Sequence, residues 1–137
     1  MTFLLDTNTC IAHLRRPAIG RLERRLSATT PGEVVLCSVV RAELIYGALR
    51  SRDPEEALRE VETFLEGLPS LPFDDRAADA YGPIRADLAA KGTPIGPNDL
   101  MIAAIAVANA LTLVTRNVSE FSRVPNLRIE DWESDAV

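Results

Sequence analysis

Histidine, cysteine and lysine are all scarce in this chain of 137 residues, and each scarcity removes a class of chemistry. A single histidine, His13, excludes zinc sites built from several imidazoles and leaves a Ser-His-Asp triad without support. Two cysteines, Cys10 and Cys37, have neither the spacing of a metal-binding pair nor the number needed for a disulfide framework. Their apolar neighbours predict small buried hydrophobes instead. No apolar run approaches the ~18 residues of a membrane span, and Asp6 interrupts the N-terminal run before it resembles a secretory leader. The expectation is a cytoplasmic protein with no membrane association. Lys91 is the one lysine, beside fourteen arginines, and the net charge is −5. That balance argues against a protein that coats nucleic acid nonspecifically, which needs clustered cations. Arginine does favour bidentate phosphate contacts, but the dense cluster Arg15, Arg16, Arg21, Arg24 and Arg25 reads most simply as a solvated helix face.

What remains is ordinary and sufficient. A chain that is 47% hydrophobic and 26% charged is typical of a globular domain. At this length one domain, 1–137, buries roughly 68–70% of its unfolded surface without disulfides or structural metal. The pivotal stretch is Phe3-Leu4-Leu5-Asp6-Thr7-Asn8. Three apolar residues fit a buried strand, and a carboxylate with two small polar residues then suits a helix start. Asp6 either caps the next helix or stands at the carboxyl end of a central strand, where open α/β sheets bind ligands.

The remaining elements follow from the same reasoning. Residues 7–14 read as a short helix broken by Pro17, and residues 18–28 as an amphipathic helix carrying Ile19, Leu22 and Leu26. Pro31-Gly32 is a turn, and Val34-Val35-Leu36-Cys37 is a buried strand. Ser38 is the expected cap of a helix over 39–50. Asp53-Pro54-Glu55-Glu56 opens a helix that Gly67 ends. Pro69 and Pro72 allow only a short strand before Phe73, and Asp74 opens a helix over 75–90, with Gly82-Pro83 as a point of bending or interruption. After a loop over 91–96, Pro97 starts a helix over 98–110 that is apolar on nearly every side and therefore buried. Residues 112–115 form a strong strand, a turn leads to Phe121, and 127–130 is a candidate last strand. Beyond it, only Trp132 is expected to be well anchored. Strands separated by helices imply an α/β fold: a central, mostly parallel β-sheet with helices on both faces.

In such a sheet Asp6, Glu43, Asp99 and the segment Thr115–Asn117 emerge at one edge. Two carboxylates ~4 Å apart repel by about 4 kcal/mol at an effective dielectric of about 20. Converging acids therefore hold a proton or a cation. Oxygen donors without a second histidine or a thiolate pair favour Mg²⁺ or Mn²⁺, and metal-assisted attack of water on a phosphodiester follows. Two plainer alternatives exist: Glu43 paired with Arg41 or Arg50, and Asp99 as a favourable first-turn charge.

Four motifs, in order along the chain, carry a resemblance. Leu4-Leu5-Asp6-Thr7-Asn8, Ala42-Glu43-Leu44-Ile45-Tyr46-Gly47, Gly96-Pro97-Asn98-Asp99-Leu100-Met101-Ile102-Ala103 and Val114-Thr115-Arg116-Asn117 through Glu120-Phe121 resemble those of PIN-domain ribonucleases. More narrowly, the chain is similar to the VapC toxins of VapBC toxin–antitoxin pairs. The resemblance implies a PIN-like fold and a Mg²⁺- or Mn²⁺-dependent endoribonuclease, tRNA being one substrate class. It also implies a VapB-like antitoxin as inhibitor and a homodimer. It carries the metal-binding acids onto Asp6 and Asp99 and the third acid onto Glu43, with Thr7, Asn8 and Thr115 as supporting polar residues. The family's fourth acidic position falls on Asn117, a departure that removes a charge; Glu120 is the nearby substitute. One well-occupied Mg²⁺ site is expected, with a second ion arriving alongside RNA. Arg116 or Lys91 is available to hold the RNA backbone.

Two rivals compete with this reading. A haloacid-dehalogenase-like phosphatase would use Asp6 as nucleophile, but its usual second Asp is here Asn8, which cannot transfer the proton. A non-cleaving RNA- or protein-binding module of the same fold draws its support from Asn117.

Overall fold

The computed structural model describes residues 1–15 and 20–134. Five short parallel strands form one sheet: β1 (Phe3–Leu5), β2 (Val34–Cys37), β3 (Ser70–Leu71), β4 (Thr112–Val114) and β5 (Arg128–Glu130). Their order is β3-β2-β1-β4-β5, and every pairing is parallel. β1 is therefore the centre, and the chain reverses its direction of travel across the sheet between β1 and β4. Such a switch point opens a crevice at the carboxyl ends of the strands. Leu4, Leu5, Leu36, Leu113 and Val114 are completely buried, as expected of parallel strands covered by helices.

Seven helices lie among the described residues: α1 (Thr7–Arg15), α2 (Arg21–Ala28), α3 (Ser38–Leu49), α4 (Pro54–Glu66), α5 (Asp75–Ala90), α6 (Pro97–Ala108) and α7 (Val118–Phe121). α6 is the most deeply embedded. Residues Ile102 through Ala106 have no exposed surface, and fully burying an isoleucine such as Ile102 or Ile105 contributes about 1.5–3 kcal/mol. Its apolar sequence thus places its N-terminus, and Asp99 with it, against the sheet.

The predicted starts of α4 and α5 are realised. Asp53 accepts a hydrogen bond from the Glu56 amide at 3.3 Å, and Asp74 accepts one from Ala77 at 3.0 Å. Other expectations change. Ser38 does not cap α3; Cys37 occupies that position, and the Ser38 hydroxyl accepts the Phe73 amide at 3.2 Å, tying the end of β3 to α3. Pro83 sits inside one continuous helix instead of interrupting it. α6 ends two residues early, followed by Ala110 with φ of 53°. The turn before Phe121 is a short helix, α7. α2 begins at Arg21 behind an N-capping Gly20, while Arg16, Pro17 and Ile19 lie outside the described residues. Trp132 is only 2% exposed, packed edge-on against Phe3 and lying under Arg25. His13 is held by Glu23 at 3.0 Å and tilts over Phe64, a packing role.

Candidate active site at the carboxyl edge of the sheet

The register of the central strands builds the site. Leu5 pairs with Val114, so the next residue on each strand, Asp6 and Thr115, meets its neighbour on the same face. The Asp6 amide donates to Val114 O at 3.0 Å, and the Thr115 hydroxyl donates to Asp6 Oδ2 at 2.6 Å. Asp6 Oδ1 accepts the Thr9 amide at 2.9 Å, which is also the N-cap bond of α1. The capping role and the strand-end role of Asp6 are thus compatible, one oxygen serving each. With 3% exposure, burial pushes the Asp6 carboxyl above its usual range. The Thr115 and Thr9 hydrogen bonds oppose that shift, and the Glu43 charge adds to it.

Glu43 projects from the middle of α3, one position before the buried Leu44. Its carboxylate accepts the Thr7 hydroxyl at 2.5 Å on Oε1 and the Asn98 amide at 3.2 Å on Oε2. Neither Arg41 nor Arg50 serves as its counter-ion; Arg50 lies over the Tyr46 ring. Two neutral donors therefore fix Glu43 and leave its charge uncancelled.

Asp99 stands in the first turn of α6, half-buried. Its carboxyl is pushed up to about 6, first by burial and then by the negative charges of Glu120, Asp6 and Glu43. Glu120 reaches the site from α7. It accepts the Asn117 side-chain amide at 2.9 Å on Oε2 and the Gly96 amide at 3.3 Å on Oε1. The Asn117 backbone amide in turn donates to Thr115 Oγ1 at 2.9 Å. Asn117 therefore links Asp6, through Thr115, to Glu120, and Glu120 carries the site's fourth negative charge, beside Asp6, Glu43 and Asp99.

Asn8 is exposed on α1 and takes part in none of these hydrogen bonds. Lys91 is tied to Asp87 at 3.0 Å, whereas Arg116 is exposed beside the site. Three contributors were not singled out by sequence: Thr9, Asn98 and the Gly96 amide. Thr9 stands three residues after Asp6, the spacing of a cap bond, so that signal was available. Asn98 and Gly96 reach partners 55 and 24 residues away, and no local pattern reports such distances. Burial raises the Cys10 and Cys37 thiols, which removes both as nucleophiles.

The donors are all hard oxygens, the chemistry of Mg²⁺ and Mn²⁺. Among the described residues, no three His, Cys, Asp or Glu side chains converge as direct ligands of one ion. Mg²⁺ commonly takes only one or two protein carboxylates and retains water.

The sheet is a doubly wound α/β sheet with acids gathered at its carboxyl edge, and a PIN domain model matches residues 3–127. The tRNA(fMet)-specific endonuclease VapC of Salmonella typhimurium is 45% identical over 132 residues, covering 96% of this chain and 98% of that protein. Ribonuclease VapC2 of Rickettsia felis is 35% identical, covering 97% and 99%. The solved structure of DNA-bound VapBC from Salmonella typhimurium superposes with a TM-score of 0.91 at 44% identity, covering 96% of this chain and 98% of that one. The chain belongs to the PIN-domain family, on its VapC branch. No described helix is long and apolar enough to cross a membrane.

Proposed function

We propose that this chain is the toxin of a toxin–antitoxin pair, a single PIN domain over 1–137 that hydrolyses RNA phosphodiesters in the cytoplasm with Mg²⁺ or Mn²⁺. The observation that carries the reading is Asp99: a half-buried carboxylate that stands beside three other acids, made costly first by burial and then by their charges, with no ion pair to a cation among the described residues. A site that stores uncancelled negative charge favours a cation, and RNA brings a phosphate that needs one. A divalent ion bound there would supply Lewis-acid activation of water and of the scissile phosphoryl group.

The residues of the chain divide the remaining work. Asp6 and Asp99 would hold the ion directly, Asp6 pre-oriented by Thr115 and Thr9. Glu43, aimed by Thr7 and Asn98, takes the proton from the attacking water. Glu120, aimed by Asn117, supplies the fourth negative charge; Asn117 positions and does not ligate. The charge that Asn117 lacks is thus present in the site, which weakens the non-cleaving alternative. The names of the Salmonella typhimurium relatives, a tRNA(fMet)-specific endonuclease and a VapBC complex, extend the reading to a tRNA substrate and a VapB-like antitoxin as inhibitor. A homodimer is the expected assembly.

The test uses the antitoxin-free chain with end-labelled tRNA. Cleavage is expected with Mg²⁺ or Mn²⁺ and is expected to cease in chelator. Asp6→Asn should lower the rate at least ~100-fold with the fold retained, the scale on which loss of one preorganised charged group acts. Metal-dependent cleavage by Asp6→Asn at the unmodified rate would overturn the mechanism.

A further inference from the structure

Asn117, which holds Glu120, also lines a concavity of about 460 Å³. One face of α1 supplies Asn8, Ile11, Ala12 and Arg15, at the i, i+3, i+4, i+7 spacing of a helix face. Arg116 and Asn117 close it from the loop after β4, and Glu133 contributes a further wall. Several other cations of the chain are held by partners. Arg25 is paired with Glu130, Arg59 with Glu56 and Lys91 with Asp87; Arg123 and Arg24 are hydrogen-bonded to backbone carbonyls. Arg15 and Arg116 are exposed and make no ion pair or hydrogen bond with any described residue. Arg41, Arg52 and Arg128 are likewise exposed with no ion pair or hydrogen bond to a described residue; what sets Arg15 and Arg116 apart is that both face one cavity, in a chain of net charge −5.

We infer that this cavity is a nucleotide subsite, in which Arg15 and Arg116 hold the phosphate of a nucleotide adjoining the scissile bond. The inference rests on the ribonuclease reading and deepens it. The volume accommodates one nucleotide. Guanidinium forks match phosphate oxygens bidentately. Ile11 and Ala12 offer an apolar floor for a base, and the exposed Asn8 amide is available to its polar edge. Position supports the assignment equally. Asn117 forms the shared wall, its side chain directed to Glu120 and its backbone amide to the hydroxyl that holds Asp6. A strand laid across Asn117 therefore presents one phosphate to the acids and the next to the arginines. The acids repel RNA, so an adjacent cationic foothold is what lets a polyanion approach them.

The decisive measurement is RNA binding, independent of cleavage. A fluorescent single-stranded RNA is titrated with the Asp6→Asn chain at several salt concentrations, and the same is done after adding Arg15→Ala, Arg116→Ala or both. Arg128→Ala, an exposed arginine outside the cavity, is the control. The double variant is expected to bind at least about tenfold more weakly. The slope of log affinity against log salt should fall by about 0.7 for each phosphate that the variant no longer neutralises. Thermal unfolding should be unchanged, because both side chains are exposed. In the cleavage-competent chain, the single variants should raise KM several-fold and leave kcat within about twofold. Equal affinity and slope in the double variant, or an equal loss in Arg128→Ala, overturns the subsite. RNA binding that depends on the two arginines, in a chain that cleaves no RNA, would sink the ribonuclease reading and keep the subsite.

Discussion

Asp6 and Asp99 belong to one site and carry the same functional group, yet the protein treats them oppositely. Asp6 is almost wholly buried and fully satisfied: one oxygen takes a hydroxyl, the other a helix amide. Asp99 is half-exposed, makes no side-chain hydrogen bond with a described residue, and faces three negative charges. Burial raises both carboxyls. In Asp6 hydrogen bonds to the charged form offset part of that cost, with Glu43 the one acid adding to it, while in Asp99 three acids add to it and no side-chain hydrogen bond opposes it. The first carboxylate is held in place by the fold, and the second is held against its preference until a cation arrives. Precision and affinity are thus divided between two residues that share one functional group and one site.

This difference can be broken most forcefully at Asp6. Asp6→Ala strands the Thr115 hydroxyl and the Thr9 amide in a dry region, and we expect the metal-free fold to lose about 2–3 kcal/mol by denaturant titration. Saturating metal should come next. Mn²⁺ at about a hundredfold excess over its dissociation constant should stabilise the unmodified chain by about 2.7 kcal/mol, read as a rise in Tm. In Asp99→Asn that rise should be largely lost.

Without metal, Asp99→Asn should stabilise the protein at pH 7–8, the reverse of Asp6→Ala. Removing the charge relieves repulsion but forfeits a favourable first-turn charge, so the net gain is about 1 kcal/mol after allowing for solvent screening. Its pH dependence has a definite sign. The folded Asp99 carboxyl titrates at about 6, above its ordinary 3.8, so between those values the folded state binds more protons than the unfolded one. Its destabilisation is absent below pH 3.8, grows as pH rises through the window, and is complete above about 6. Comparing unfolding of the unmodified and Asp99→Asn chains across pH 4–8 should show their difference growing with pH; a constant difference would refute the electrostatic origin. The smallest effect belongs to Glu120→Gln. It should move the Asp99 carboxyl down toward its ordinary value, seen in the carboxyl resonance of Asp99 by NMR across a pH titration.

Much of this site was legible in the chain itself. The run Phe3-Leu4-Leu5 before Asp6, the apolar helix behind Asp99 and the β-branched run before Cys37 each fixed an element, and the parallel order of elements put their polar ends at one edge. The helix-cap possibility for Asp6 proved to be half of its role, expressed through the Thr9 amide. Less legible were the partners. Ser38 looked like a cap by sequence but is drawn to the Phe73 amide, because tertiary packing brought a second donor within reach. Glu43 looked ready to pair with a nearby arginine on its own helix, but the fold supplies Thr7 and Asn98 instead. Asn117 and Glu120 were visible as alternatives for one position. The structure shows them bonded to each other, the amide orienting the acid.

Sequence alone determined the α/β class, the buried central strand and the edge at which the acids gather. Those follow from local periodicity, from breakers such as Pro69 and Pro97, and from the handedness rules of parallel sheets. Only the tertiary structure decided which acid is satisfied and which is strained. It also decided which arginines are spent on ion pairs, and that Arg15 and Arg116 face a common cavity. These outcomes depend on the β1–β4 register and on contacts between residues as far apart as Asp6 and Thr115. Charge and hydrogen bonding act through space, and spacing along the chain carries no record of that distance until the sheet has closed.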